Sequence, residues 1–111
     1  MKTIFERIIA GEIDSEKVFE NEHILAIKDI YPVAPVHILI MPKKHFSSIQ
    51  AVGKEDLWLI GEIMRAVQIL AMQFKIVDNY RVLTNNGHEA GQTIFHLHFH
   101  LIGGRSFGTL G

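Results

Sequence analysis

Residues 95–101 alternate without a break: Phe95-His96-Leu97-His98-Phe99-His100-Leu101. Successive side chains of a β-strand point to opposite faces. Phe95, Leu97, Phe99 and Leu101 therefore turn one way, and three imidazoles turn the other. The period of two predicts a strand over 95–102 whose apolar face packs on a core. A core does not need the other face to be a row of histidines. The chain has seven histidines, and three occupy these alternate positions.

The rest of the chain supplies the partners such a strand needs. Thr3 and Glu6 have capping-box spacing and Gly11 is placed as a helix stop, which predicts a short helix at about 3–10. Lys17–Glu20 and His23–Lys28 are β-prone runs separated by Asn21-Glu22, a hairpin pattern. Pro32 and Pro35 exclude regular structure around them. The apolar run Val36–Met41 reads as a central strand that Pro42 stops. One long helix is expected over about 54–75, with Leu57, Ile60, Met64, Val67 and Leu70 at helical spacing. Trp58 and Leu59 widen its apolar arc beyond one core face. Asn79–Thr84 reads as a strand and 85–93 as a loop. The expected class is α+β: an antiparallel sheet of about five strands with one short N-terminal helix and one long helix.

A row of imidazoles suits two chemistries. One is metal binding. His96 and His100 would lie about 13 Å apart on an extended strand, so a further ligand, His37 or His45, would be needed. The other is nucleophilic catalysis at phosphorus. A neutral imidazole nitrogen attacks while its second nitrogen is held protonated. The loop Asn85-Asn86-Gly87-His88-Glu89-Ala90-Gly91-Gln92-Thr93 precedes the strand and Gly103-Gly104-Arg105 follows it. The glycines let backbone approach a ligand closely, and Asn85, Gln92 and Thr93 offer neutral hydrogen-bonding groups. Both loops look like walls of an anion site.

Composition narrows the choice. A length of 111 residues suits one compact domain, 1–111. Without cysteines there is no disulfide and no thiolate-held zinc, which fits a reducing compartment. A formal charge of −1 gives no basic field for a nucleic acid. The N-terminus is not a signal peptide and no apolar run approaches a membrane span. The reading is a soluble cytoplasmic protein.

The stretch Gly91–Arg105 resembles the His-φ-His-φ-His-φ-φ signature of the histidine triad (HIT) superfamily, where φ is an apolar residue. It is most similar to the Hint branch, the nucleoside phosphoramidases. Ile4-Phe5 through Ile13, Asp29–His37 and Ile40-Met41-Pro42-Lys43-Lys44-His45 resemble three further segments of that branch, in the same order. The resemblance implies that His98 is the nucleophile, supported by His96, His100 and His37. It implies that Asp29 and Ile30 hold the nucleoside and that Asn85 and Thr93 lie near the phosphate and leaving group. Gly91 and Gln92 belong with them as walls of the nucleotide site. The substrate implied is a purine nucleoside 5′-phosphoramidate, adenosine preferred, cleaved without metal or other cofactor by a homodimer. Dimerisation would account for the apolar arc around Trp58 and Leu59. Two alternatives stay open: dinucleoside polyphosphate hydrolysis, and a nucleotide-binding interaction module. Some bacterial members hold a structural zinc with a C-x-x-C pair. Thr3 and Glu6 stand at those positions here, so no zinc is expected and His45 is then a non-ligand. The tail from Ser106 is short and lacks the tryptophan found in many relatives, which bears on leaving-group preference.

Overall fold

The computed structural model describes residues 1–109; Leu110 and Gly111, the end of the tail considered above, lie outside them. The first helix, α1 (Ile4–Ile9), starts where the capping box places it. Glu6 N–H donates to Thr3 Oγ1 at 3.1 Å, and Thr3 N–H donates to Glu6 Oε1 at 2.9 Å. Ala10 caps its C-terminus, and Gly11 follows at φ +79, a left-handed conformation that glycine adopts without strain. The hairpin follows as β1 (Lys17–Glu20) and β2 (Ile24–Lys28). Asn21 Oδ1 closes its turn by accepting the backbone N–H groups of His23 and Ile24 at 2.9 and 2.8 Å. The central strand is β3 (Val36–Pro42); then come the long helix α2 (Trp58–Gln73), β4 (Tyr80–Leu83) and β5 (Phe99–Gly103).

The five strands form one sheet in the order β1-β2-β3-β5-β4, with every neighbouring pair antiparallel. The fold is α+β, as the residue pattern implied. The pleat divides β3 between two layers. Ile38 and Ile40 join Leu59, Ile63, Ala66, Val67 and Leu70 of α2, together with Leu97, Phe99 and Leu101. Leu39 and Met41 face the other way and pack with Leu25, Ile27 and the α1 residues Phe5 and Ile8. Leu39 stands opposite His100 and His37 opposite Ile102 in the β3–β5 ladder. This places His37 and His100 on the α1 side of the sheet.

Three expectations need correction. The 54–75 segment is not one helix: Lys54–Asp56 is a 3₁₀ turn and α2 begins at Trp58. Leu59 is not part of a spare apolar surface, since at 3% exposure it sits in the chain's own core. Trp58, half-exposed, rests edge-on against His23 with ring centroids 4.8 Å apart. Finally, β5 begins at Phe99 rather than Phe95. The Leu97 N–H is donated to Phe46 O at 2.7 Å, outside the sheet ladder. Ile94 O accepts from Gln92 Nε2 at 3.1 Å and His96 O accepts from the His98 ring at 2.7 Å. One backbone carbonyl outside the sheet and two side chains thus take the backbone groups that a ladder would have used. Phe95, expected in the core, is 43% exposed as a result.

Candidate active site

The histidines are buried rather than displayed. His96 has no exposed surface, and His98 and His37 retain 8% and 7%. Phe5 of α1 roofs them, edge-on to His98 with ring centroids 4.9 Å apart and to His96 at 6.3 Å. A residue that sequence placed on a helix core face is therefore also a wall of the histidine cluster.

Hydrogen bonds to backbone groups settle which ring nitrogen carries each proton. A carbonyl oxygen only accepts, so His98 Nδ1, 2.7 Å from His96 O, must be the donor. The neutral ring then keeps its lone pair on Nε2. His96 is fixed the same way: Nε2–H donates to Pro42 O at 2.7 Å, leaving a lone pair on Nδ1. His37 has the same tautomer as His96, opposite to that of His98, because the Val33 backbone N–H donates to Nδ1 at 3.1 Å. Its proton is on Nε2, which meets His100 Nδ1 at 2.9 Å with Asp29 Oδ2 3.3 Å away. His100, accepting on Nδ1, carries its own proton on Nε2.

Burial keeps these rings neutral. Desolvation pushes the His98 pKa below the ordinary imidazole value, against the opposing bond to His96 O. It also lowers His96, against the bond to Pro42, and His37, against the Asp29 charge. His100 falls to about 4, by desolvation first and then by the neighbouring His98 and His37. The His98 and His100 ring centroids are 5.2 Å apart. A lone pair on one imidazole thus stands beside an N–H donor on the next. That pairing can attack an electrophilic centre and receive the negative charge that develops on it.

The remaining residues singled out from the sequence divide. Asp29 is close to the cluster through His37, and its Oδ1 also accepts the Tyr31 N–H at 2.8 Å. Ile30 beside it is 81% exposed. Gly91 has φ +101, a left-handed conformation, and a Cβ there would lie 3.8 Å from Asn85 Nδ2. Gln92 does not offer its amide to a ligand. At 2% exposure, its Oε1 accepts from Gly87 N–H at 2.8 Å, and its Nε2 donates to Ser47 O at 2.6 Å as well as to Ile94 O. It staples the 85–93 loop to residue 47. Thr93 is exposed. Thr84, which the sequence did not single out, donates from Oγ1 to His98 O at 2.7 Å.

Among the described residues, two trios bring metal-compatible atoms within 4.8 Å of one another: Glu6, His45 and His96; and Asp29, His37 and His100. Both include one of the two further histidines that a metal reading required. In the second trio, Val33 puts a proton on His37 Nε2, the atom that faces both partners, so it offers no lone pair there. In the first, Glu6 Oε1 also accepts the Thr3 N–H at 2.9 Å through the capping box.

The HIT domain family model matches residues 10–107 of this chain. A HIT-like protein of Chlamydia pneumoniae is 53% identical over 108 residues, spanning 97% of this chain and 98% of that one. Among solved structures, a HIT family hydrolase from Clostridium thermocellum is similar with a TM-score of 0.95 at 39% identity, covering 98% of this chain and 96% of the other. A histidine triad nucleotide-binding protein from Candida albicans gives a TM-score of 0.81 at 32% identity, over 97% and 86% of the two chains.

Proposed function

We propose that this chain, which belongs to the histidine triad (HIT) family, hydrolyses purine nucleoside 5′-phosphoramidates, adenosine preferred, through a covalent nucleotidyl-His98 intermediate. The observation that carries the reading is the 2.7 Å bond from His98 Nδ1 to His96 O, which leaves the Nε2 lone pair free to attack. A P–Nε2 bond forms as the P–N bond to the amine breaks, and the amine leaves after taking up a proton. Water then attacks the phosphorus, the P–Nε2 bond breaks, and a nucleoside monophosphate is released. His100 Nε2–H faces the charge on the phosphoryl oxygens, and His37 holds His100 in that tautomer. Asn85, Gly91 and Thr93 line the phosphate and leaving-group side, while Gln92 shapes that wall from behind. Ile30 covers the nucleoside. Hydrolase and nucleotide-binding descriptions of similar structures support the class, and the HIT match over 10–107 supports one domain over 1–111.

Steady-state kinetics on adenosine and guanosine phosphoramidates, beside dinucleoside polyphosphates, test the reading. Phosphoramidates should be turned over with the higher kcat/KM. A preference for the polyphosphates would transfer the same machinery to the other substrate.

Asp29 is assigned to the ribose hydroxyls. Its side chain is 19% exposed, and a carboxylate oxygen that already accepts one bond has a further lone pair. Asp29→Ala should weaken adenosine monophosphate binding by roughly ten- to a hundredfold, the worth of a charged acceptor's hydrogen bonds. Calorimetric titration reads this directly, and an unchanged affinity would remove Asp29 from the ribose site.

A homodimer belongs to the same reading. In the sheet order β4 is an edge strand, and Tyr80 on it, with Met72 and Trp58 on α2, leaves large apolar side chains exposed. Sedimentation at micromolar concentration should give about twice the chain mass of 12.6 kDa. A clean monomer would exclude the dimer. The proposed setting is cytoplasmic; among the described residues, no helix is long and apolar enough to cross a membrane.

A further inference from the structure

We propose that His45 is a positioning residue: its Nδ1–H donates to His96 Nδ1 and so locks the segment whose carbonyl holds the nucleophile's proton. The proposal rests on the assignment of His98 as nucleophile. The two ring nitrogens are 3.2 Å apart. Because His96 donates from Nε2 to Pro42 O, its Nδ1 can only accept while the ring is neutral, and the donor must be His45. Glu6 Oε1 lies 3.7 Å from the same His45 nitrogen and favours a proton there.

The strand does not hold this segment, since the β5 ladder begins only at Phe99. Residues 96 and 97 are held instead by residues 42–46. Pro42 O takes one nitrogen of the His96 ring, His45 takes the other, and Phe46 O accepts the Leu97 N–H at 2.7 Å. Both ring nitrogens of His96 are thereby engaged, and the ring has one orientation. Its backbone carbonyl is the acceptor for His98 Nδ1–H. Without His45, the buried His96 Nδ1 loses its partner, an arrangement that favours rotation of the ring. A shift of His96 O then moves the proton and the lone pair of His98 out of attack geometry. The Thr3–Glu6 capping box at the start of α1 holds the carboxylate that backs this histidine pair.

The test compares three variants. His45→Ala removes the donor, and His45→Asn places an amide N–H near the position of Nδ1. His45→Gln sends its amide further out and serves as a size control. The His45 side chain is 45% exposed, so the fold should tolerate all three; thermal melting checks this. With an adenosine phosphoramidate, His45→Ala and His45→Gln should lower kcat by about ten- to a hundredfold with KM nearly unchanged, and His45→Asn should recover most of the loss. Ring-nitrogen NMR of the substrate-free protein is the second readout and does not depend on the choice of substrate. The wild-type His96 should show the Nε2–H tautomer, and His45→Ala should shift its Nδ1 signal and mix the His98 tautomers. Unchanged His96 and His98 ring signals in His45→Ala would overturn the proposal. So would equal impairment in the asparagine and alanine variants. Altered ring signals with no turnover in the wild type would instead leave the positioning intact and remove the hydrolase reading.

Discussion

His98→Ala should lose all measurable turnover of a nucleoside phosphoramidate, and the hydrogen-bond pattern says why no neighbour replaces it. His100 accepts from His37 on Nδ1 and carries its proton on Nε2, so the nitrogen facing substrate has no lone pair. His96 is fully buried with both ring nitrogens engaged. His100→Ala removes one donor to the developing charge, a loss of about a hundred- to a thousandfold in kcat. His96→Ala keeps the backbone carbonyl that His98 uses, so it should slow turnover while lowering stability, through the cavity left by a buried ring. His98→Gly opens room for free imidazole as a substitute nucleophile, and added imidazole should restore part of the rate. Wild type quenched in acid-free denaturant during turnover should carry nucleotide label on His98. Full activity in His98→Ala would place the nucleophile elsewhere and turn the cluster into a binding surface.

The elements legible in the sequence are those whose cause is local. Thr3 and Glu6 announce α1 because both capping bonds span three residues. Asn21 announces the hairpin because its side chain closes the turn two and three residues on. The histidine pattern named its strand correctly from Phe99 onward. It overran at 95–98 because the competing partners lie far away in sequence or in side chains: Phe46 O for Leu97, Pro42 O for the His96 ring, Gln92 for Ile94. The same distance hid His45 from an alternation count, since its contact with His96 spans 51 positions. Phe5 was visible as an apolar residue, but its seat on His98 depends on how α1 crosses the sheet. Gln92 carries the opposite lesson. A polar residue beside a catalytic strand reads as ligand-facing until its three bonds to backbone are seen. Leu59 and Trp58 looked equivalent on the helix, yet only the orientation of α2 sends one into the core and leaves the other half-exposed.

Acid should destabilise this fold well before its carboxylates protonate. His37, His96, His98 and His100 are neutral in the folded protein because burial lowers each pKa below the 6.5 of a free side chain. Between the unfolded value and each folded value the unfolded chain binds more protons, so stability rises with pH in that window and is lost as pH falls through it. The window opens near 6.5 and, for His100, extends to about 4. Each such histidine contributes a slope of up to ~1.4 kcal/mol per pH unit. For His100 alone that window spans more than two units, a sizeable share of an ordinary stability of about 5–15 kcal/mol. Below pH 4.5 the losses continue. Glu6, held down chiefly by the Thr3 backbone N–H, and Glu20, held down chiefly by Lys43, then take up protons more readily when unfolded. The urea midpoint, measured at constant ionic strength, should therefore stay nearly level from pH 7.5 to about 6.5 and fall steeply from there to pH 5. Activity should not follow the same curve. His98 must be neutral to attack, and since its folded pKa is depressed, kcat/KM should stay level down to pH values below 6.5 while the protein remains folded. A midpoint unchanged at pH 5 would mean that the buried rings are not neutral. An acid limb in kcat/KM centred above 6.5 would mean that the group on which attack depends is not a desolvated His98.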